Sequence, residues 1–106
     1  MSNLKVASLG VLNGNGSTTG LQLTGVHRNP TGSVNVRVTG TFDGGTVTVE
    51  VSYDNSNWST VGDAGVFTDN GGCEVRALIG EYMRITGSGL GSGPVEGVIL
   101  LDGTSK

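Results

Sequence analysis

Residue types that often act in catalysis or bind metals are scarce in this 106-residue chain, which contains one cysteine, Cys73, and one histidine, His27. A single cysteine excludes a disulfide within the chain, and a zinc site needs several cysteine or histidine ligands. We therefore expect no metal site. Cys73 lies in an alternating run, which predicts a small apolar residue on a strand. His27 lies shortly before Pro30 and Gly32, which predicts an exposed turn.

Charged residues are also scarce, at 14 % of the chain with a formal net charge of −3. Ordinary soluble domains are about 25 % charged. Proteins that bind nucleic acid normally present a basic face, whereas the six basic residues here are dispersed. No basic segment followed by an apolar one opens the sequence, and no apolar run approaches a membrane span. We expect no nucleic-acid partner, no membrane and no secretion.

Glycine, by contrast, is abundant, with 20 residues, while proline occurs only twice. Glycine and β-branched residues disfavour helices, and valine and threonine favour strands joined by tight turns. Along much of the chain, apolar residues alternate with polar ones, a period of two that is typical of strands with one buried face. The composition and the period together predict an all-β fold.

The clearest alternation is SVNVRVTGTF-DGG-TVTVEVSY, residues 33–53. The valines of both halves fall on one face together with Phe42 and Tyr53, and polar residues fall on the other. Asp43-Gly44-Gly45 supplies the positive φ angles that tight hairpin turns require. We predict a β-hairpin between residues 33–42 and 46–53, with Phe42 and Tyr53 facing the core.

The remaining strands are short. They are predicted at residues 4–12, 21–24, 58–61, 65–67, 73–79, 81–86 and 95–101. Strands spaced about 8–12 residues apart are typical of β-sandwiches. We predict one domain, an antiparallel β-sandwich of jelly-roll or immunoglobulin-like type with about seven to nine strands and no helix of note. Residues 1–12 are assigned to an N-terminal arm or first strand, 13–102 to the sandwich and 103–106 to a tail.

The polar tetrapeptide 54–57, DNSN, beside the only tryptophan, Trp58, is compatible with a calcium loop, a sugar site or a turn. A calcium loop requires acidic or amide ligands at its third and fifth positions, where this chain has Ser56 and Trp58. Asp and Asn also favour turns, because their side chains bond nearby backbone. We predict a turn, with the Trp58 ring buried at the start of the next strand and its indole N–H hydrogen-bonded.

No arrangement typical of an enzyme is visible. Catalysis needs groups such as a nucleophile, a base or a metal placed together in one site. The G-x-S-x-G sequence that often surrounds a nucleophilic serine is absent. Four aspartates, Asp43, Asp54, Asp63 and Asp69, all fall in predicted turns. The glycine-rich stretches 14–20 and 87–94 lack the dinucleotide and P-loop patterns, and we predict that both are loops. Arms that become ordered only against a neighbour are the alternative for these two stretches. We expect no catalytic residue and no cofactor.

Two segments, GTFDGGTVTVEVSYDNSNWSTVG (40–62) and EYMRITGSGLGSGPVEGVILL (81–101), resemble a family of small bacteriophage virion proteins. The shared pattern is a Gly-x-Phe turn, a Val-Thr strand, a Ser-x-Asp-x-x-x-Trp turn, and an aromatic-x-Arg strand before a Gly-Ser loop. Phe42, Tyr53 and Trp58 are its structural markers. The resemblance implies a β-sandwich with a structural role, either a capsid decoration (cement) protein or another head or tail accessory protein.

Such a role implies repeated contacts between identical copies. The resemblance therefore predicts a symmetric trimer or dimer that binds the major capsid protein or another virion protein. The protein would be made in the host cytoplasm and would lie on the capsid surface. Apolar strand faces and open sheet edges would make the contacts. The candidate contact residues lie in the first strand and in the 87–94 loop: Leu4, Val6, Leu9, Val11, Leu12 and Leu90.

A second hypothesis is a carbohydrate-binding module. The stretch Ser52–Trp58 also resembles a turn in discoidin-like and related carbohydrate-binding jelly rolls, in which the tryptophan is usually structural. A sugar site would use exposed aromatic rings flanked by polar side chains. Because we expect Phe42, Tyr53 and Trp58 in the core, sugar binding through residues 52–58 stays the alternative.

Overall fold

The chain forms strands along most of its length. A computed structural model describes residues 4–27, 33–76 and 80–101, with the backbone alone for residues 4–6 and 101. Two 3-10 turns, Gly25–His27 and Asp63–Gly65, interrupt the strands. The strands are β1 (Leu4–Leu12), β2 (Gly16–Ser17), β3 (Leu21–Gln22), β4 (Ser33–Gly40), β5 (Thr46–Ser52), β6 (Ser59–Thr60), β7 (Val66–Phe67), β8 (Gly71–Arg76), β9 (Tyr82–Ser88) and β10 (Val95–Leu101).

The predicted all-β sandwich is confirmed. The four-stranded sheet has the order β1-β10-β4-β8, and the six-stranded sheet has the order β2-β9-β5-β6, with β3 beside β9 and β7 beside β5. All these pairs are antiparallel. Ten strands are described instead of about seven to nine, because the two-residue strand β2 lies within the predicted loop 14–20. The strands predicted at 21–24, 58–61 and 65–67 are present as the two-residue strands β3, β6 and β7.

The inner faces of the two sheets form one core, as the alternating valines require. Val34, Val36 and Val38 of β4 are buried, and so are Val47 and Val49 of β5. The core also contains these apolar residues from the other strands and loops: Leu9, Leu12, Leu23, Phe42, Phe67, Val75, Met83, Ile85, Leu90, Val95 and Ile99. No helix among the described residues is long and apolar enough to cross a membrane.

The predicted hairpin between 33–42 and 46–53 is wrong. Strand β4 pairs with β10 and β8, whereas β5 pairs with β9, β6 and β7, so the two strands lie in opposite sheets. The turn between them has the expected form: Asp43 and Gly44 have φ angles of 51° and 80°, and the N–H of Gly45 donates to the carbonyl of Phe42 at 2.7 Å. Two strands with one apolar face each bury that face equally well side by side or face to face.

Gly40 marks the point at which the chain leaves the four-stranded sheet. Its φ is 148°, and a Cβ atom there would overlap the carbonyl oxygen of Pro94. A residue with a side chain would disturb this crossing, since positive φ is strained for L-residues. The predicted turn at residues 28–32 and the last part of the predicted strand 73–79, residues 77–79, lie outside the described residues.

Candidate functional site

Residues 52–58 form a turn held by Asp54. One carboxylate oxygen of Asp54 accepts hydrogen bonds from the backbone N–H groups of Asn57 (2.8 Å) and Ser56 (3.0 Å) and from the hydroxyl of Ser52 (2.8 Å), and the other accepts from the Asn57 amide (2.7 Å). These donors, led by the Asn57 N–H, hold the pKa of Asp54 far below its usual value. The carboxylate is therefore occupied by the turn, as the sequence predicts.

Tyr53 lies on the surface, so the prediction that it faces the core is wrong. Its side chain is 75 % exposed, whereas the preceding Ser52 is only 3 % exposed. The alternation of β5 reverses here because the Ser52 hydroxyl turns inward and also accepts the backbone N–H groups of Asp54 (3.2 Å) and Ser56 (3.3 Å). The turn thus presents one free aromatic ring beside polar side chains.

Trp58 is partly buried and stacks on the outer face of the six-stranded sheet, so the prediction that its ring lies in the core is wrong. The guanidinium carbon of Arg84 lies 4.1 Å from the ring centroid, and Nε of Arg84 is 2.8 Å from Oε1 of Glu50. A Cβ atom on Gly20 would lie 2.9 Å from Cη2 of Trp58 and would overlap Oδ1 of Asn55. No hydrogen bond of the indole N–H is found among the described residues. The ring therefore joins the 52–58 turn to β9 and to the loop before β3.

The predicted contact residues divide between core and surface. Leu9, Leu12 and Leu90 are 2 %, 5 % and 0 % exposed, because they fill the space between the two sheets of their own chain. They offer no surface to a neighbour in this fold. Val11, at 48 % exposure, is accessible. Leu4 and Val6 belong to β1, but their side chains lie outside the described part of the chain.

Two shallow depressions lie elsewhere on the surface. A groove of about 560 Å³ runs between residues 8–11 of β1 and residues 17–21, where Thr18 packs against Gly10 and exchanges hydrogen bonds with the backbone of Ile85. A second depression of about 370 Å³ lies on the four-stranded sheet near Arg37, Gly72 and Leu100. Among the described residues, no group of three or more His, Cys, Asp or Glu residues comes together.

The side chains of the single histidine and the single cysteine both make contacts that stabilise the fold. His27 is buried, so the predicted exposed turn histidine is wrong; its Nδ1 accepts the backbone N–H of Thr24 at 2.9 Å. Burial lowers the pKa of His27. Cys73 is a free thiol packed at the margin of the core, and burial raises its pKa. A raised pKa disfavours the thiolate, which is the reactive form of a cysteine, although Cys73 lines the second depression.

Comparison of the chain with protein-family models, with curated proteins and with solved structures gives no significant match.

Proposed function

We propose that this chain is a structural virion protein of a bacteriophage that decorates the capsid surface as a symmetric oligomer and stabilises the shell. Besides the resemblance of residues 40–62 and 81–101, one observation supports this proposal. The four-stranded sheet ends in β1 and β8, and neither strand has a second strand partner among the described residues. Such edges can accept a strand from a neighbouring molecule.

The contact surface in this proposal differs from the predicted set of leucines. Because Leu9, Leu12 and Leu90 fill the core, the contacts would involve the strand edges and the exposed Val11 of β1. Strand addition suits a repeated shell, since backbone hydrogen bonds supply affinity without a deep pocket. The major capsid protein, or another virion protein, is the proposed partner.

Purified virions test this function directly. Particles from the source phage should contain the chain in many copies per shell, measured by quantitative mass spectrometry after gradient purification. Shells that lack the chain should bind added recombinant protein to saturation and become more resistant to heat. Absence of the chain from virions, together with no binding to such shells, would refute the proposal. A major capsid gene beside the coding sequence would add independent support.

A second candidate function, sugar binding, is favoured by the 75 % exposure of Tyr53. The ring lies beside the polar Asp54 and Asn57, but the Asp54 carboxylate is occupied by the turn, and Arg84 covers the Trp58 ring. Glycan-array binding that Tyr53→Ala abolishes in a folded protein would support a lectin-like module. Glycan binding that persists in Tyr53→Ala would exclude the 52–58 turn as the sugar site. Absence of glycan binding by the unaltered protein would refute this second function.

A further inference from the structure

The two open edges of the four-stranded sheet differ in regularity. The β1–β10 ladder has register breaks between Lys5 and Ala7 and between Ser8 and Gly10. The β8–β4 ladder runs unbroken through six pairs, from Ser33↔Arg76 to Val38↔Gly71. Bulges are a common means by which proteins disfavour pairing at an edge. The regular β8 edge is therefore better suited to accept another strand.

The outward side chains of β8 carry opposite charges at a spacing of two residues. Glu74 and Arg76 are both exposed, and Val75 between them is buried. The 3-10 turn Asp63–Gly65 packs near β8 yet leaves both charged side chains accessible. Glu74 accepts a hydrogen bond from the Ser33 hydroxyl at 2.9 Å, which fixes its position on the outer face.

We propose that a second copy of this chain pairs antiparallel with β8, with the two-fold axis at Val75. In an antiparallel ladder, residues directly opposite each other point to the same face. A two-fold pair of β8 strands must therefore be centred on a residue. Centring on Val75 places Glu74 opposite Arg76 of the second copy, and Arg76 opposite Glu74 of that copy.

Placing the two-fold axis at another residue of β8 gives charge pairs that are unfavourable or neutral. Centring on Glu74 places two glutamates opposite each other, and centring on Arg76 places two arginines opposite each other. Centring on Cys73 leaves Glu74 opposite Gly72, with no charge partner. Opposite charges directly across a ladder stabilise pairing, and like charges destabilise it. Among centres 73 to 76, only Val75 gives two attractive pairs, so the sequence of β8 is self-complementary in that register.

This inference specifies the self-contact in the proposed function and rests on the oligomer named there. A six-residue strand pair is small beside a standard interface of about 800 Å² per partner, so we expect a weak dimer. Weak contacts become effective when many copies are held on one shell, because attachment raises their local concentration.

A charge-swap series measured by sedimentation equilibrium tests the interface. The unaltered protein should dimerise with a dissociation constant between about 10 μM and 1 mM, as expected of a weak contact. Glu74→Arg and Arg76→Glu should each weaken dimerisation about tenfold or more, since each creates two like-charge pairs. The double variant Glu74→Arg/Arg76→Glu should return to within about threefold of the unaltered protein. Arg76→Glu leaves the Ser33–Glu74 hydrogen bond in place. Weaker dimerisation of this variant would therefore reflect the changed charge and not the loss of that bond.

Glu96→Arg provides the matched control. It makes the same charge change on β10, two strands in from the β8 edge of the same sheet, and should leave dimerisation unchanged. A strict monomer at about 1 mM, where even weak interfaces associate, would overturn the inference. So would a dimer that Glu96→Arg weakens and the β8 variants do not, since that result would indicate contact through the sheet face.

Cross-linking tests the register. In a Cys73→Ser background, Glu74→Cys/Arg76→Cys should form a covalent dimer on mild oxidation, because directly opposite Cβ atoms lie about 4.5–5.5 Å apart. Either single cysteine substitution should remain uncross-linked, since diagonal positions are about 7–8 Å apart. Cross-linking by a single substitution would refute the Val75 register. A β8 dimer that fails to bind shells would refute the virion function alone, and a monomer that binds shells would refute this interface alone.

Discussion

Replacing Trp58 by alanine tests how the 52–58 turn is attached to the sandwich. The ring contacts Arg84 on one side, with 4.1 Å from the guanidinium carbon to the ring centroid, and Gly20 at its Cη2 edge. Trp58→Ala would remove both contacts. The Asp54 hydrogen bonds of the turn would remain, because none of them involves the indole.

The expected cost follows from the partly buried position of the ring. A tryptophan can bury about 200 Å², so losing about three quarters of that area at about 25 cal/mol per Å² costs roughly 4 kcal/mol. The contact with Arg84 adds about 0.5–1 kcal/mol. The unfolded chain already buries part of this area, which lowers the sum by about 10–40 %. We therefore expect Trp58→Ala to reduce the free energy of unfolding by about 3 kcal/mol, at the lower end of the roughly 3–5 kcal/mol of a fully buried tryptophan.

Urea unfolding followed by far-UV circular dichroism measures this loss. Tyr53→Ala is the matched control, since it removes an exposed aromatic ring from the same turn and should change stability by less than about 0.5 kcal/mol. A double-mutant cycle with Arg84→Gln should give a coupling of about 0.5–1 kcal/mol. A loss above about 4 kcal/mol would place the ring in the core, and a coupling near zero would refute the stacking on Arg84.

Three further measurements address the turn, the core and the sheet crossing. The folded-state pKa of Asp54 is lowered, so its contribution to stability should be complete above the unfolded value of 3.8 and be lost as pH falls below it. Asp54→Asn should remove that part of the acid dependence in urea melts, and an unchanged pH profile would contradict it. Leu90→Ala should cost about 2–5 kcal/mol in chemical unfolding, against less than about 0.5 kcal/mol for the exposed Val11→Ser; equal losses would refute the core position of Leu90. Gly40→Ala should lower thermal stability by about 1–3 kcal/mol more than Gly44→Ala, because both have positive φ but only Gly40 lacks space for Cβ; equal melting temperatures would refute that crowding.

Much of the fold follows from short-range patterns in the sequence. The valine alternation in 33–38 and 46–51 correctly assigns inner and outer faces in β4 and β5, because the period of two reflects the pleat itself. The Asp43-Gly44 turn is also predictable, since few residues accept positive φ at two successive positions. The alternation and the turn depend only on residues that are close together in the sequence, so a single sequence is enough to predict them.

The pairing of β4 and β5 could not be predicted in the same way. Adjacent strands with one apolar face each fit either a hairpin or a crossing between two sheets, and the alternation is identical in both. The partners that separate the two strands are distant in sequence: β4 pairs with β10 and β8, and β5 pairs with β9. The same holds for Trp58, whose environment depends on Gly20 and Arg84.

At the end of β5, Ser52 faces inward and Tyr53 faces outward, and the sequence contains a local indication of this orientation. Ser52 precedes Asp54 by two residues, and a serine hydroxyl in that position can bond the turn backbone. This bonding turns Ser52 inward and Tyr53 outward. Hydrophobicity alone predicts the opposite orientation, because it assigns the aromatic ring to the apolar face.

The distribution of polar partners favours assembly over sugar binding. On the six-stranded sheet, the Ser17 hydroxyl donates to Thr86 at 2.9 Å, Arg84 pairs with Glu50, and Asp54 is saturated by its turn. A sugar bound there would have to replace hydrogen bonds that the protein already makes, which reduces the net gain of each new one. Pairing along β8, by contrast, adds backbone hydrogen bonds at an edge with one strand partner among the described residues. A contact along β8 leaves the hydrogen bonds of the six-stranded sheet in place, so the proposed assembly does not require these bonds to be exchanged, whereas the alternative sugar site does.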